Sequence, residues 1–353
     1  MALTQVRPEG LGFVNGRRNL IINGAMQVAQ RSTSLTVGDS TEYKTLDRYA
    51  IAINGTTAGR ATMSQATDAP SGFGSSMKFD VTTADTSIGS GEAFGFAQRI
   101  EGQNLQQLAK GTSDAKACTL SFYAKGTAKT YVVETRDANS RQVSATFSVT
   151  TSWQRFEITI PADTTGTIAD DNTTELQIIW WLHAGSDFTS GTLNTSWATS
   201  VNANRMVGCG SIFSSTDNEL LITGVQLEVG TNASDFEHES FGETLQKCER
   251  YFQRFVAGAN YTGFSVAFST SATSAKATLK FNGKMRAAPT ITQSNTGFNY
   301  GGQVAFSSFN TLYTGLDTSW IDMTIANVGS AGQLGIWNGN NNGAAYVQMS
   351  AEL

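Results

Sequence analysis

Charge is scarce in this 353-residue chain: Asp, Glu, Lys and Arg make up 15% of it, against about a quarter in ordinary globular proteins. Thr, Ser, Asn and Gly carry the polarity instead, which suits a β-rich surface better than a cytosolic enzyme. The basic residues are scattered and the net charge is −5, so no nucleic-acid partner is expected, because phosphate binding draws on clustered Lys and Arg. The one basic pair, Arg17-Arg18, reads as a local backbone or carboxylate contact. Histidine is rarer still. His183 and His238 lie far apart, and no His-x-x-x-His, Gly-x-Ser-x-Gly or phosphate-loop pattern occurs. Asp170-Asp171 and Glu237/Glu239 are the carboxylate pairs that could attack a glycosidic bond, but acids in such loops are ordinarily just solvated. A non-enzyme is therefore expected. Cys118, Cys209 and Cys248 are odd in number and widely spaced, which excludes zinc and redox motifs and leaves buried thiols. Neither cofactor nor metal is expected. No apolar run approaches the roughly 18 residues of a membrane span, so no membrane insertion is expected. Met1–Gln5 lacks a basic segment leading into an apolar one, so no secretory signal is expected and assembly is placed in the cytoplasm.

What is present is strand texture. Apolar residues make up 40% of the chain, enough for packed cores, and the length predicts about two domains. Residues 1–16 read as an extended arm. Residues 17–235 alternate apolar and polar in short runs: Asn19–Gly24, Ser76–Val81, Thr119–Ala124, Thr130–Thr135, Ser144–Val149, Gln154–Ile160, Glu175–Leu182 and Leu220–Val229. Period-two alternation with turns between predicts an all-β sandwich or jelly roll. Residues 104–110 read as a single helical turn. Ser240-Phe241-Gly242-Glu243 has the spacing of a capping box. Leu245, Cys248, Phe252 and Phe255 follow at helical intervals, which predicts a linker helix within 236–256. Strands resume in 257–353, at Ser265–Ser269, Ala275–Phe281, Thr290–Thr292, Trp320–Ala326 and Ala345–Ser350, as a smaller C-terminal β-sandwich domain.

Several segments resemble one family. Asn19–Met26, Ala29-Gln30-Arg31 and Leu46-Asp47-Arg48-Tyr49 are similar to the opening of phage and prophage tail-fibre-like proteins. So are Gln98–Asn104, Leu120–Lys125, Ile222–Gly230, Phe236-Glu237-His238, Cys248–Phe252 and Lys284–Thr290, in the same order. The resemblance implies a jelly roll like a carbohydrate-binding module in 17–235, a linker helix, and a terminal β domain, assembled as a homotrimer. It implies a virion location, on a tail or other external appendage, with other phage virion proteins as partners and host cell-surface polysaccharide as a further one. The chain departs from the pattern in starting almost at the jelly roll, without a shaft, and in carrying Ala25-Met26-Gln27 where an acidic calcium ligand often follows Asn-Gly. The missing shaft keeps open a purely architectural role, as a capsid decoration or tail adaptor, and a polysaccharide-degrading enzyme is the third class.

Aromatics carry the candidate sites, because a flat exposed ring beside amides and hydroxyls makes a saccharide platform. If Leu176, Ile178, Trp180 and Leu182 face inward, alternation places Gln177, Trp181 and His183 together on the other face; packing of Trp181 under a neighbouring subunit competes with that reading. Trp197, in a loop, and Trp337 with Asn338 and Asn340, at a polar tip, complete the candidate saccharide surface. Leu245, Cys248, Tyr251, Phe252 and Phe255 are the candidate oligomer interface, because they offer more apolar surface than a lone helix needs.

Overall fold

The computed structural model describes residues 18–300, 302–325 and 330–353; the expected arm over 1–16 lies outside them. In chain order the strands are β1 (Ser34–Val37), β2 (Ala50–Asn54), β3 (Arg60–Ala66), β4 (Ser76–Thr83), β5 (Ala93–Glu101), β6 (Cys118–Gly126), β7 (Lys129–Asp137), β8 (Arg141–Val149), β9 (Gln154–Ile160), β10 (Thr174–Ala184), β11 (Ala198–Thr199) and β12 (Glu219–Val229). There follow β13 (Phe252–Val256), β14 (Gly263–Ser271), β15 (Ser274–Lys280), β16 (Thr290–Ser294), β17 (Gly297–Asn299), β18 (Gln303–Thr314), β19 (Thr318–Ile325), β20 (Leu334–Asn338) and β21 (Tyr346–Ser350). The α-helices are α1 (Ser186–Thr189) and α2 (Phe241–Glu249). Among the described residues no helix is long and apolar enough to cross a membrane.

The chain forms two compact units. The first takes in Ser34–Lys44 and Tyr49–Glu239 with the described residues before Val28; the second comprises Val28–Thr33, Thr45–Arg48 and Ser240–Leu353. The first unit is a β-sandwich of jelly-roll type. One six-stranded sheet runs β1-β3-β4-β12-β6-β9 and the other β11-β8-β7-β10-β5-β2. Alternation explains the inner faces: in β4 Met77, Phe79 and Val81 are buried while Asp80 is exposed. An aromatic chain closes the space between the sheets. Phe79 stacks on Phe96 at 5.3 Å, Phe96 on Trp180 at 5.0 Å, and Trp180 meets Phe122 edge-on at 5.9 Å. Gly95 sits where a Cβ would collide with the backbone oxygen of Trp180, so a side chain there would prise β5 from β10.

Asn19–Gly24, expected as a strand, is irregular, yet it runs along β12 with its polar groups satisfied. Asn19 Nδ2 donates to Val225 O at 3.1 Å, and the Leu227 N–H donates to Asn19 Oδ1 at 3.1 Å. The Gln98 amide does the same for Ile22, accepting its N–H at 2.7 Å and donating to its carbonyl at 2.9 Å. Side-chain amides thus stand in for a partner strand, as buried peptide groups require. Residues 102–108 form two short 3₁₀ turns where one helical turn was expected.

The C-terminal domain, expected as a second sandwich, is a closed barrel in the order β14-β15-β19-β18-β17-β20, together with a three-stranded sheet β13-β21-β16. A small barrel is filled by side chains of alternating size. Here Trp337 fills the interior against Phe264 at 5.7 Å and Phe309 at 5.4 Å, while Ala267, Ala275 and Ala277 make room for it. The linker helix within 236–256 is shorter than expected: α2 stops at Glu249, and Phe252–Val256 pair with β21 as a strand. Its start is as expected, with the Glu243 N–H donating to Ser240 Oγ at 3.3 Å and the Ser240 N–H to Glu243 Oε2 at 3.0 Å.

The Gln30-Arg31 and Asp47-Arg48 segments build a polar knot in this second unit. Arg48 lies over the Tyr251 ring at 3.5 Å and Arg31 over the Phe252 ring at 3.6 Å. Both guanidinium groups pair with Glu352, Arg31 at 3.1 Å. Asp47, fully buried, accepts the Gln30 N–H at 3.0 Å. Burial pushes its carboxyl up to about 6, outweighing the Arg31 charge and the Gln30 bonds that pull the other way.

Candidate functional site

The residues expected on one exposed face of β10 are not exposed together. Gln177 is half-buried, but Trp181 and His183 are buried, as is nearly all of the strand on both faces. Alternation correctly separates Trp180 from Trp181, yet the second face is also a core. Phe188 and Met206 cover it, with Leu193 packed alongside, and Trp181 sits among them with Ile179, Val132 and Ala97. The indole N–H of Trp181 donates to Glu134 Oε2 at 2.7 Å, and that buried carboxylate takes a two-pronged contact from Arg205 at 2.9 Å on each oxygen. The indole N–H and both oxygens of the carboxylate are thus taken up inside the fold. His183 is displaced in register from Trp181 by a bulge against β5. Burial lowers its pKa, against the opposing pull of Glu92 and Asp85.

Trp197 is half-buried and used structurally. Its Nε1–H donates to Pro161 O at 2.7 Å, and its ring lies 4.5 Å from Lys110 Nζ. Lys110 in turn binds Asp137 at 2.5 Å and Asp163 at 2.8 Å, and Arg141 Nε binds Asp163 at 2.8 Å. Two cations and two carboxylates balance. Burial raises the Asp163 carboxyl, but the Arg141 and Lys110 bonds outweigh it and hold it well below the ordinary range. Trp337, expected at a distal tip, is the barrel's central side chain; Asn338 is buried and its Oδ1 accepts from Gln303 at 2.9 Å. Asn340 is half-buried, in a left-handed turn with Asn341.

The five residues expected at an oligomer interface are largely consumed inside the second unit. Cys248, Tyr251 and Phe252 are buried, the last two beneath Arg48 and Arg31, and Phe255 packs on the barrel core. Leu245 is half-buried. Of the other thiols, burial pushes Cys118 up to about 12, leaving it unreactive at neutral pH.

Two aromatics that face solvent pair on the barrel's outer wall. Tyr313 of β18 is 74% exposed and Trp320 of β19 51%, on paired positions with ring centroids 6.3 Å apart at 71°. Thr278 of β15 is the cross-strand neighbour of Trp320 on its other side. The adjacent rung is polar: Lys276 pairs with Asp322, and Asp322 with Asn310. Two rings, a hydroxyl, an ammonium, a carboxylate and an amide thus share one sheet face. On β14 and β20 the wall turns apolar, with Val266 opposite Ile336 and Phe268 opposite Leu334, all exposed. The signal for Trp320 stands in the sequence. Ile321, Met323 and Ile325 claim the inner face of β19, so alternation sends Trp320 outward with Asp322 and Thr324.

The first unit also holds a cleft of about 330 Å³ between β8 and β9, lined by Val133, Thr135, Val143, Ile158 and Ile160 among others, with no aromatic platform in it.

No protein-family model matches the chain, and no curated protein matches it. Similar solved structures include carbohydrate-binding modules. The family 11 module of a cellulosomal cellulase of Clostridium thermocellum is 12% identical, covering 58% of this chain and 99% of its own, with a TM-score of 0.28. The module TmCBM61, solved in complex with beta-1,4-galactotriose, is 11% identical over 60% of this chain and 99% of its own, with a TM-score of 0.31. The tandem CBM22-1-CBM22-2 domain of Paenibacillus barcinonensis Xyn10C is 8% identical, covering 97% of this chain and all of its own, at 0.28. Scores at this level carry no argument about a ligand, and the all-β architecture rests on the strand topology itself.

Proposed function

We propose that this chain is a non-catalytic subunit of a bacteriophage particle that recognises saccharide on the host surface through the outer wall of its C-terminal barrel. The observation that carries the reading is the exposed Tyr313–Trp320 pair on adjacent strands, flanked by Thr278, Lys276, Asp322 and Asn310. Sugar rings present an apolar C–H face that packs on such rings, while hydroxyls meet the flanking polar groups. The ordered segments similar to phage tail-fibre-like proteins support the virion setting, on an external appendage alongside other virion proteins. A glycan array or host-cell binding assay tests it. Wild type binds envelope polysaccharide, and Trp320→Ala lowers affinity at least tenfold with the fold intact. Unchanged binding by that variant overturns the site, and no binding by wild type overturns saccharide recognition.

The apolar stretch Val266, Phe268, Leu334 and Ile336 favours a second reading, an architectural virion protein, because clustered exposed apolar side chains without polar groups between them mark protein contacts. In that reading the stretch joins copies of the chain, the homotrimer among them, or a neighbouring virion protein. Light scattering separates the two: wild type assembles, and Phe268→Ser with Leu334→Ser gives monomers that still bind saccharide only if the first reading holds.

A further inference from the structure

His183 is fully buried at the end of β10, and it meets two carboxylates that sequence spacing did not connect with it. Asp85 lies just beyond β4, and Glu92 directly precedes β5. One ligand atom from each of the three lies within 4.8 Å of the other two. Three separate backbone segments are tied down to bring them together. The Asp85 N–H donates to Phe213 O at 2.7 Å, the Glu92 N–H to Gly89 O at 3.1 Å, and the Gly185 N–H to Glu92 O at 2.7 Å.

We propose that Asp85, Glu92 and His183 bind one divalent transition-metal ion of the zinc class, through imidazole Nε2 and one oxygen of each carboxylate. The Nε2 to Glu92 Oε2 separation is 3.3 Å. That is long for a hydrogen bond to a carboxylate, and it fits the spacing of about 3.4 Å between tetrahedral ligands on bonds of about 2.1 Å. The other imidazole nitrogen, Nδ1, lies 2.8 Å from Ser211 Oγ, which fixes the ring and leaves Nε2 free of its proton when Nδ1–H is the donor. Asp85 is held in the same manner: Oδ2 accepts from Thr57 Oγ1 at 2.8 Å and the Ala58 N–H at 2.9 Å, and Oδ1 from the Ser87 N–H at 3.1 Å.

Charge gives an independent reason. Two carboxylates converge on one imidazole, and among the described residues neither has a lysine or arginine partner. A bound divalent cation would supply the positive charge that the surrounding side chains do not. One nitrogen with two oxygens selects zinc-class ions over calcium, which takes 6 to 8 oxygen ligands. The side chain of Glu92 is 14% exposed, so it gives the ion its way in and makes the mildest substitution.

The test uses the full chain, free of any polyhistidine tag and stripped with a chelator. Zn2+ titration calorimetry with elemental analysis should find one ion per chain, Co2+ should give a ligand-field spectrum, and the imidazole nitrogen shifts should report Nε2 ligation. Glu92→Gln keeps the side-chain shape and should bind at least tenfold more weakly, with an unchanged metal-free melting temperature; Asp171→Asn, an exposed acid elsewhere, should bind as wild type. The proposal is overturned if no zinc remains per chain, if Glu92→Gln binds as well as wild type, or if Ca2+ raises the melting temperature and Zn2+ does not.

Discussion

The two units treat their aromatics in opposite ways. In the sandwich, Phe79, Phe96, Trp180 and Phe122 form a continuous buried chain, and even the outer face of β10 is roofed over Trp181. In the barrel Trp337 packs inside with Phe264, Phe298 and Phe309, while Trp320 and Tyr313 stand outside it. A sandwich leaves a wide space between two sheets that only large side chains fill at native density. A closed barrel of six strands has a narrower bore, which Trp337 fills with Phe264, Phe298, Phe309 and several alanines around it, and Tyr313 and Trp320 are left to the outer wall. The same residue type therefore means packing in the sandwich, and both packing and availability in the barrel.

The largest effects should separate these roles. Trp180→Ala removes the side chain that joins Phe96 to Phe122 in the core and should cost about 3–5 kcal/mol, as large core truncations do. Chemical denaturation followed by near-ultraviolet circular dichroism would show the sandwich transition moving while the barrel transition holds; a shift of less than 1 kcal/mol, on the order of a surface change, would break the contrast. Next is the ion group of the sandwich. Lys110→Met leaves Asp137 and Asp163 buried with Arg141 alone and should cost about 3 kcal/mol. Restoring charge balance with Asp137→Asn in the same chain should recover part of that loss, measured as a double-mutant cycle.

The second unit should lose stability as pH rises through 6. The Asp47 carboxyl is pushed up to about 6 from an ordinary 3.8, so the folded state holds its proton more tightly than the unfolded chain. Stability from this group is fully present below pH 4 and is lost as pH rises through 6, a change of about 3 kcal/mol at 1.36 kcal/mol per unit. Asp47→Asn should flatten that slope in the barrel's melting curve between pH 4 and 7. A wild-type curve that rises over the same range would place the carboxyl on the ionised side of its pairing with Arg31.

Much of the sandwich was legible because alternation states which residues share a face, and β9, read as Gln154–Ile160, has those limits in the structure. Alternation does not state what covers a face. Trp181 and His183 were therefore read as exposed, and the cover came from Phe188 and Met206 in a stretch without strand or helix periodicity. β5 went unread because Gly95 interrupts its pattern, although the glycine is there to let β10 approach. In β20, Leu334 and Ile336 face out and Gly335 and Trp337 face in, so hydrophobicity alone picks the wrong register. Phe252 and Phe255 fit a helical interval across a boundary, and only the pairing with β21 resolves them as strand. The Asp85, Glu92 and His183 set is scattered over three segments and has no spacing to read.

The smallest expected effect bears hardest on the comparison. Trp320→Ala removes a large ring from an outer wall where about half of it already meets water, so little burial is lost and stability should change by less than about 0.5 kcal/mol. Thr278 and Tyr313 keep their backbone pairing with β19 either way, since the ladder bonds do not pass through the indole. The barrel's thermal midpoint should therefore stay in place while saccharide or partner binding falls. A ring kept on the surface at no benefit to folding is kept for contact with something else, and that inference fails if Trp320→Ala unfolds the barrel as a core truncation would. Trp337→Ala supplies the scale for that reading within the same unit, because its indole is wholly buried and its loss should cost several times more than that of Trp320.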